Sequence, residues 1–157
     1  MRASILAALA AVAACGGHAA KSATPAATDN AMDAARRAVE AWRTAWESAS
    51  YDAVAARYAH DRDTVIVAQG AAFLGWDKAD AHLHELLAHA KEAHVRLSSV
   101  TIDELDADCA VAVAQIDREL SDGTITTTEH GVVTLVLQRK GADWLVVSEH
   151  YSHLTSS

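Results

Sequence analysis

The chain has 157 residues, 51% of them hydrophobic and 22% charged, which fits one folded domain and leaves no room for separate cofactor and substrate lobes or for long disorder. Thirteen Lys and Arg against twenty-one Asp and Glu give a net charge of −8. Signs are mixed in both halves and no basic face stands out, which argues against a nucleic-acid partner.

The N-terminus reads as an address. Arg2 precedes an uncharged apolar run over residues 5–14, and a run this short cannot span a bilayer, which takes roughly 20 residues. Residues 1–14 are therefore expected to be a signal peptide. Val12-Ala13-Ala14-Cys15 resembles a bacterial lipobox, which implies cleavage before an acylated Cys15 and a membrane partner through that lipid anchor. Gly16 after the cysteine points to the periplasmic side of the outer membrane in a diderm cell. Ordinary signal-peptidase cleavage near Ala13, Ala14 or Ala19 is the alternative. Residues 15–28 then form a lipidated cysteine and a tether of small and polar side chains, and residues 29–157 the folded domain. With Cys15 acylated, Cys109 has no disulfide partner and reads as a small apolar core residue.

Over residues 29–49, Met32, Ala35, Val39, Trp42 and Trp46 recur at helical spacing, predicting an amphipathic helix that buries two tryptophans. Ser50-Tyr51-Asp52 breaks it, and Asp52 can cap a short second helix running to Tyr58. Residues 64–68 form a β-rich run ending at Gln69-Gly70. Gly75-Trp76-Asp77 opens a third helix with Ala79, Leu83, Leu86, Leu87 and Ala90 on its apolar stripe. After His94 the period falls to 2. Strands are expected over residues 95–102, 109–120, 124–138 and 144–154, with turns at Asp122-Gly123 and Lys140-Gly141. Three helices segregated from an antiparallel meander give the α+β class.

These pieces, in this order and spacing, resemble the SnoaL-like group of nuclear transport factor 2-like domains, related to ketosteroid isomerase. The resemblance rests on Trp42 and Trp46, Asp52 and Tyr58, Asp61, Gly75, Ala110-Val111, and Gly141 with Trp144-Leu145-Val146-Val147 and the ending His150-Tyr151-Ser152. It implies a cone, a curved antiparallel sheet wrapped around the N-terminal helices, with a cavity inside and a homodimer through the outer face of the sheet. It does not imply one reaction, because the fold hosts many.

Alternation along the last strand places Trp144, Val146, Ser148, His150 and Ser152 on the cavity face, and Leu145, Val147 and Tyr151 outside. With the turn at Lys140-Gly141, His150 lies opposite Gly131 and within diagonal reach of Glu129, so His150 and Glu129 are the candidate acid–base pair. The competing reading is a structural pair closing the barrel. His82, Glu85 and His89 share a helix flank, but without HExxH, a His-x3-His pair or a second available cysteine the flank reads as solvated and no metal is expected. Phosphate loops and nucleophile elbows are missing, so no cofactor is expected either. What remains is a cavity lined by Trp42, Trp46, Tyr58, Trp76, Trp144, Val146 and Ser148, suited to a small apolar or aromatic molecule. An isomerase, dehydratase or hydrolase on a cyclic substrate, and an assembly module whose aromatics fill the cone, are the two alternatives.

Overall fold

A computed structural model describes residues 30–154; the expected signal peptide and tether, Cys15 included, lie outside the described residues. Helix α1 is Ala31–Glu47, opened by the Asn30 side chain accepting from the Met32 amide at 3.1 Å. This satisfies one of the donors that every helix N-terminus leaves over. Ala35, Val39, Trp42 and Trp46 are its buried stripe, as the spacing predicts. Helix α2 is shorter than expected, Tyr51–Ala55, and its cap is Ser50 rather than Asp52. Tyr58 falls beyond it and makes an isolated parallel bridge to Val146. Helix α3, Trp76–Leu87, buries Ala79, Leu83 and Leu87.

Six strands form one sheet: β1 (Val65–Ala68), β2 (Ala71–Leu74), β3 (Glu92–Asp106), β4 (Cys109–Ser121), β5 (Thr126–Lys140) and β6 (Asp143–Leu154). Their order is β2-β1-β6-β5-β4-β3, antiparallel throughout except that β1 runs parallel to β6. Strand β2 has no counterpart in the sequence reading. Gln69 and Gly70 both take positive φ, 54° and 78°, the backbone of a two-residue hairpin turn, so the run they appear to end folds back on itself instead. Ala71 to Leu74 is mostly exposed, which is why it carries no alternation to read.

The sheet curves around the helices, and Ala35, Trp42 and Trp46 of α1 join Ala112, Ile116, Leu135 and Val146 of the sheet in a single core. The α+β cone is thus as expected. Three register shifts interrupt its pairing, one of them near the end of β3 between Glu104 and Asp106. In β3 the pairing jumps between Ser98 and Thr101, with Ser99 at φ 53°. In β6 it jumps at Val147, because Leu137 pairs with Val146 while Val136 pairs with Ser148. An extra residue in one strand bends it and resets which face its side chains occupy.

Candidate functional site at the mouth of the cone

The bulge at Val147 decides which residues of β6 look inward. Before it, Val146 is buried as expected. After it, Glu149 and Tyr151 turn inward, each 3% exposed, while Ser148, His150 and Ser152 turn out. The hairpin also turns at Gly141-Ala142, with Lys140 and Asp143 paired, so turn and bulge together displace the register by three residues. His150 faces Thr134 on β5 and Val67 on β1 from the exposed outer face. The expected His150–Glu129 pair is therefore not formed, and Ser148 does not line the interior. Tyr151, expected outside, is inside. Gly131 stands opposite His153, where a Cβ would come within 2.2 Å of the Ser152 carbonyl oxygen. Its lack of a side chain admits the β6 backbone rather than an imidazole.

The narrow part of the cone is packed. Trp42, Trp46, Tyr58 and Val146 are each at most 1% exposed, and the Trp42 and Trp46 rings meet edge to face at 6.1 Å. These four expected lining residues are core. Trp76, half-buried at the start of α3, stacks on the His60 ring at 3.9 Å. Trp144 is half-buried at the β5–β6 hairpin, with the Arg139 guanidinium 5.3 Å from its ring centre.

Within this aromatic packing runs a chain of polar groups. Trp42 Nε1 donates to Tyr58 Oη at 2.9 Å, and Tyr58 Oη donates to Glu149 Oε2. Burial pushes the Glu149 carboxyl above the usual carboxylate range, against the Tyr58 hydrogen bond and the charge of Arg118. Burial and the adjoining carboxylate likewise raise the Tyr58 phenol. Arg118 on β4, 4% exposed, lies between the Trp46 and Tyr151 rings at 4.6 and 4.9 Å. Its Nε and Nη2 both donate to Glu129 Oε2, at 2.9 and 2.6 Å. Gln69 Nε2, brought in by the positive-φ turn, lies 3.4 Å from Glu129 Oε1. Burial is pushed onto Tyr151 too, whose phenol rises to about 12.

Glu129 forms part of the wall of a cavity of 360 Å³ at the open end of the cone, together with Gln69, Leu86, His89, Leu120 and Ile125. Close by, His82 stacks on Phe73 at 3.9 Å. Burial and then the Arg118 charge hold its imidazole below its usual value. The flank read as solvated thus splits: His82 turns partly inward, while Glu85 and His89 stay exposed. Among the described residues no group of three or more His, Cys, Asp or Glu could hold a metal.

Glu149, Arg118 and His82 are what the sequence reading missed. Arg118 had a visible signal, because it lies two residues from Ile116 on a strand whose even positions are otherwise apolar. Glu149 had none, since only the bulge places it inside.

Residues 35–156 match the family described as SnoaL-like domain. No curated protein matches the chain. Among solved structures, a candidate dehydratase of the nuclear transport factor 2-like family from Streptomyces avermitilis aligns with TM-score 0.71 at 16% identity, over 80% of this chain and 96% of that one. A candidate scytalone dehydratase from Novosphingobium aromaticivorans aligns with TM-score 0.69 at 12% identity, over 80% and 85%. A nuclear transport factor 2-like superfamily protein from Salmonella enterica serovar Typhimurium aligns with TM-score 0.70 at 14% identity, over 83% and 96%. With the family match spanning more than three quarters of its length, and the curved sheet closed around α1, the chain belongs to the SnoaL-like domain family.

Proposed function

We propose that the protein binds a small, largely apolar molecule at the mouth of its cone, with Glu129 as the polar anchor. The observation that carries this is the 360 Å³ cavity with Glu129 in its wall beside Leu86, Leu120 and Ile125. Arg118 occupies one oxygen of that carboxylate twice, and the other meets only a long contact from Gln69. A ligand hydroxyl or phenol can donate to it while its apolar body covers the leucines, which is the usual division of labour in small-molecule sites. The tryptophans deeper in the cone serve as a rigid floor. In a thermal-shift experiment 1-naphthol stabilises the protein, by about 2.7 kcal/mol at 100 times its Kd. Ile125→Asp, at a rim position that is 66% exposed and does not govern folding, removes the effect.

A second reading is favoured by the buried Glu149–Tyr58 pair. A carboxyl whose pKa is raised by burial inside an apolar cone can donate or take a proton, and two structural neighbours carry dehydratase descriptions. On this reading the enzyme acts on a cyclic substrate reaching in from the mouth, with Glu149 in the place first given to His150.

The setting proposed for either activity is the bacterial envelope, with Cys15 carrying the lipid anchor; its support is the apolar run that ends at that cysteine. Cys15→Ser then releases the protein from the membrane fraction. No described helix is long and apolar enough to cross a membrane. A second copy of the chain is the proposed cover for the outer face of the sheet, supported by Val113 and Val132 on neighbouring strands, each 40% exposed.

A further inference from the structure

At the end of the cone opposite Glu129, a cavity of 390 Å³ opens between α1, the segment after α2 and the β5–β6 hairpin. It lies apart from the mouth: Arg139 here and Glu129 there are ten residues apart on β5, roughly 33 Å along the strand at 3.3 Å per residue. Three of the thirteen basic residues of this acidic chain, Arg37, Arg57 and Arg139, line it, against a single acid, Asp143.

The donors there are not all used. Arg139 is held by Asp108, its Nε 2.9 Å from Oδ1, and lies over the Trp144 ring. Arg57 is half-buried, and among the described residues its guanidinium has no hydrogen-bond or ion-pair partner. Trp144 is the aromatic wall of the cavity. A guanidinium only donates, so what satisfies Arg57 is an acceptor carrying negative charge.

The remaining wall is apolar. Ala34, Ala38, Ala41 and Leu145 line the same space. A neighbouring cavity of 610 Å³ shares Arg37, Ala41 and Arg57 with it and continues along α1 past Ala45. A bare inorganic anion would leave these methyl groups facing water. A planar carboxylate, by contrast, matches a guanidinium fork and leaves its hydrocarbon body for the alanines and the indole face.

We infer that this cavity is a binding site for a small organic carboxylate, held by Arg57 with its apolar body between the Trp144 ring and the alanines of α1. The inference does not depend on the proposed site at the mouth.

The test is a titration of ¹⁵N-labelled protein with benzoate, followed on the four tryptophan indole N–H signals, with that of Trp144 identified by its loss in Trp144→Phe. The expected result is a saturable shift of the Trp144 signal. Affinity should fall at least tenfold in Arg57→Gln, and it should also fall as NaCl is raised. Ala38→Leu, which fills the wall and keeps every charge, should give a comparable loss, so the test does not rest on one variant. Benzyl alcohol at the same concentrations should leave the signal in place. The inference is overturned if benzoate does not move the Trp144 signal, or if benzyl alcohol moves it equally. It is also overturned if inorganic phosphate at equal ionic strength moves it as far as benzoate does, or if both cavity variants bind benzoate like the parent protein.

Discussion

Arg118 and Glu129 stand directly opposite each other on β4 and β5, and both Nε and Nη2 of the arginine converge on one carboxylate oxygen, at 2.9 and 2.6 Å. The side chains are 4% and 11% exposed. Two charges taken this far from water are stable only together, because each alone would keep its desolvation cost without compensation. The second Glu129 oxygen meets Gln69 Nε2 at 3.4 Å, and Glu129 forms part of the cavity wall.

The first prediction follows. Arg118→Met and Glu129→Leu should each cost about 3–5 kcal/mol as single changes, and the double variant should recover most of that loss. Urea denaturation of the four proteins checks it. Additive losses in the double variant would mean that the two side chains act independently.

The second concerns pH. Burial raises the folded-state pKa of Glu149 above the unfolded value near 4.5. The folded protein therefore holds this proton more tightly than the unfolded one, so the contribution is full below about 4.5 and is lost as pH rises through the folded value. Glu149→Gln keeps an acceptor for Tyr58 and cannot ionise. Its stability should gain on that of the parent protein between pH 5 and pH 8. A difference that stays flat or runs the other way would contradict a Glu149 pKa raised by burial.

The third separates neighbouring residues of β6. His150→Ala, on the exposed outer face, should change stability by no more than about 0.5 kcal/mol. Tyr151→Ala, removing a ring that is 3% exposed and stacked under Arg118, should cost about 3–5 kcal/mol. A reversed order would mean that β6 runs without its bulge.

The fourth addresses assembly. Val132→Lys, in the middle of the outer face, should convert a dimer to a monomer in sedimentation velocity, because a buried lysine on each copy faces apolar neighbours without a partner. A parent protein that sediments as a monomer at tens of micromolar, an order-of-magnitude range for a weak interface, would remove the dimer proposal.

The helices, most of the strands and most of the core were legible in the sequence because they depend on period alone, whereas the cone was implied by the family resemblance. Ala35, Val39, Trp42 and Trp46 repeat at 3.6, and Ala110, Ala112, Ala114 and Ile116 at 2. The polar interior was not, because period 2 carries no information about where it is interrupted. A turn at Gly141-Ala142 instead of Lys140-Gly141 moved the register by two, and the extra residue at Val147 moved it by one more and exchanged the faces. Those small shifts place Glu149 inside and His150 outside. The choice is also physically sensible: Glu149 meets the Tyr58 hydroxyl and the field of Arg118, whereas an imidazole there would lie against a buried cation. Strand β2 was missed for a different reason, since its identity lies in the positive φ of Gln69 and Gly70 rather than in its side chains.

The central claim is that the cone mouth binds a small apolar donor, and backbone amide shift mapping with 1-naphthol tests it most directly. The account predicts saturable shifts confined to residues around Gln69, Leu86, Ala90, Leu120, Ile125 and Glu129, with the same residues silent in Ile125→Asp. Shifts centred on the groove beside Trp144, or no saturable shifts near Glu129 at all, would contradict it.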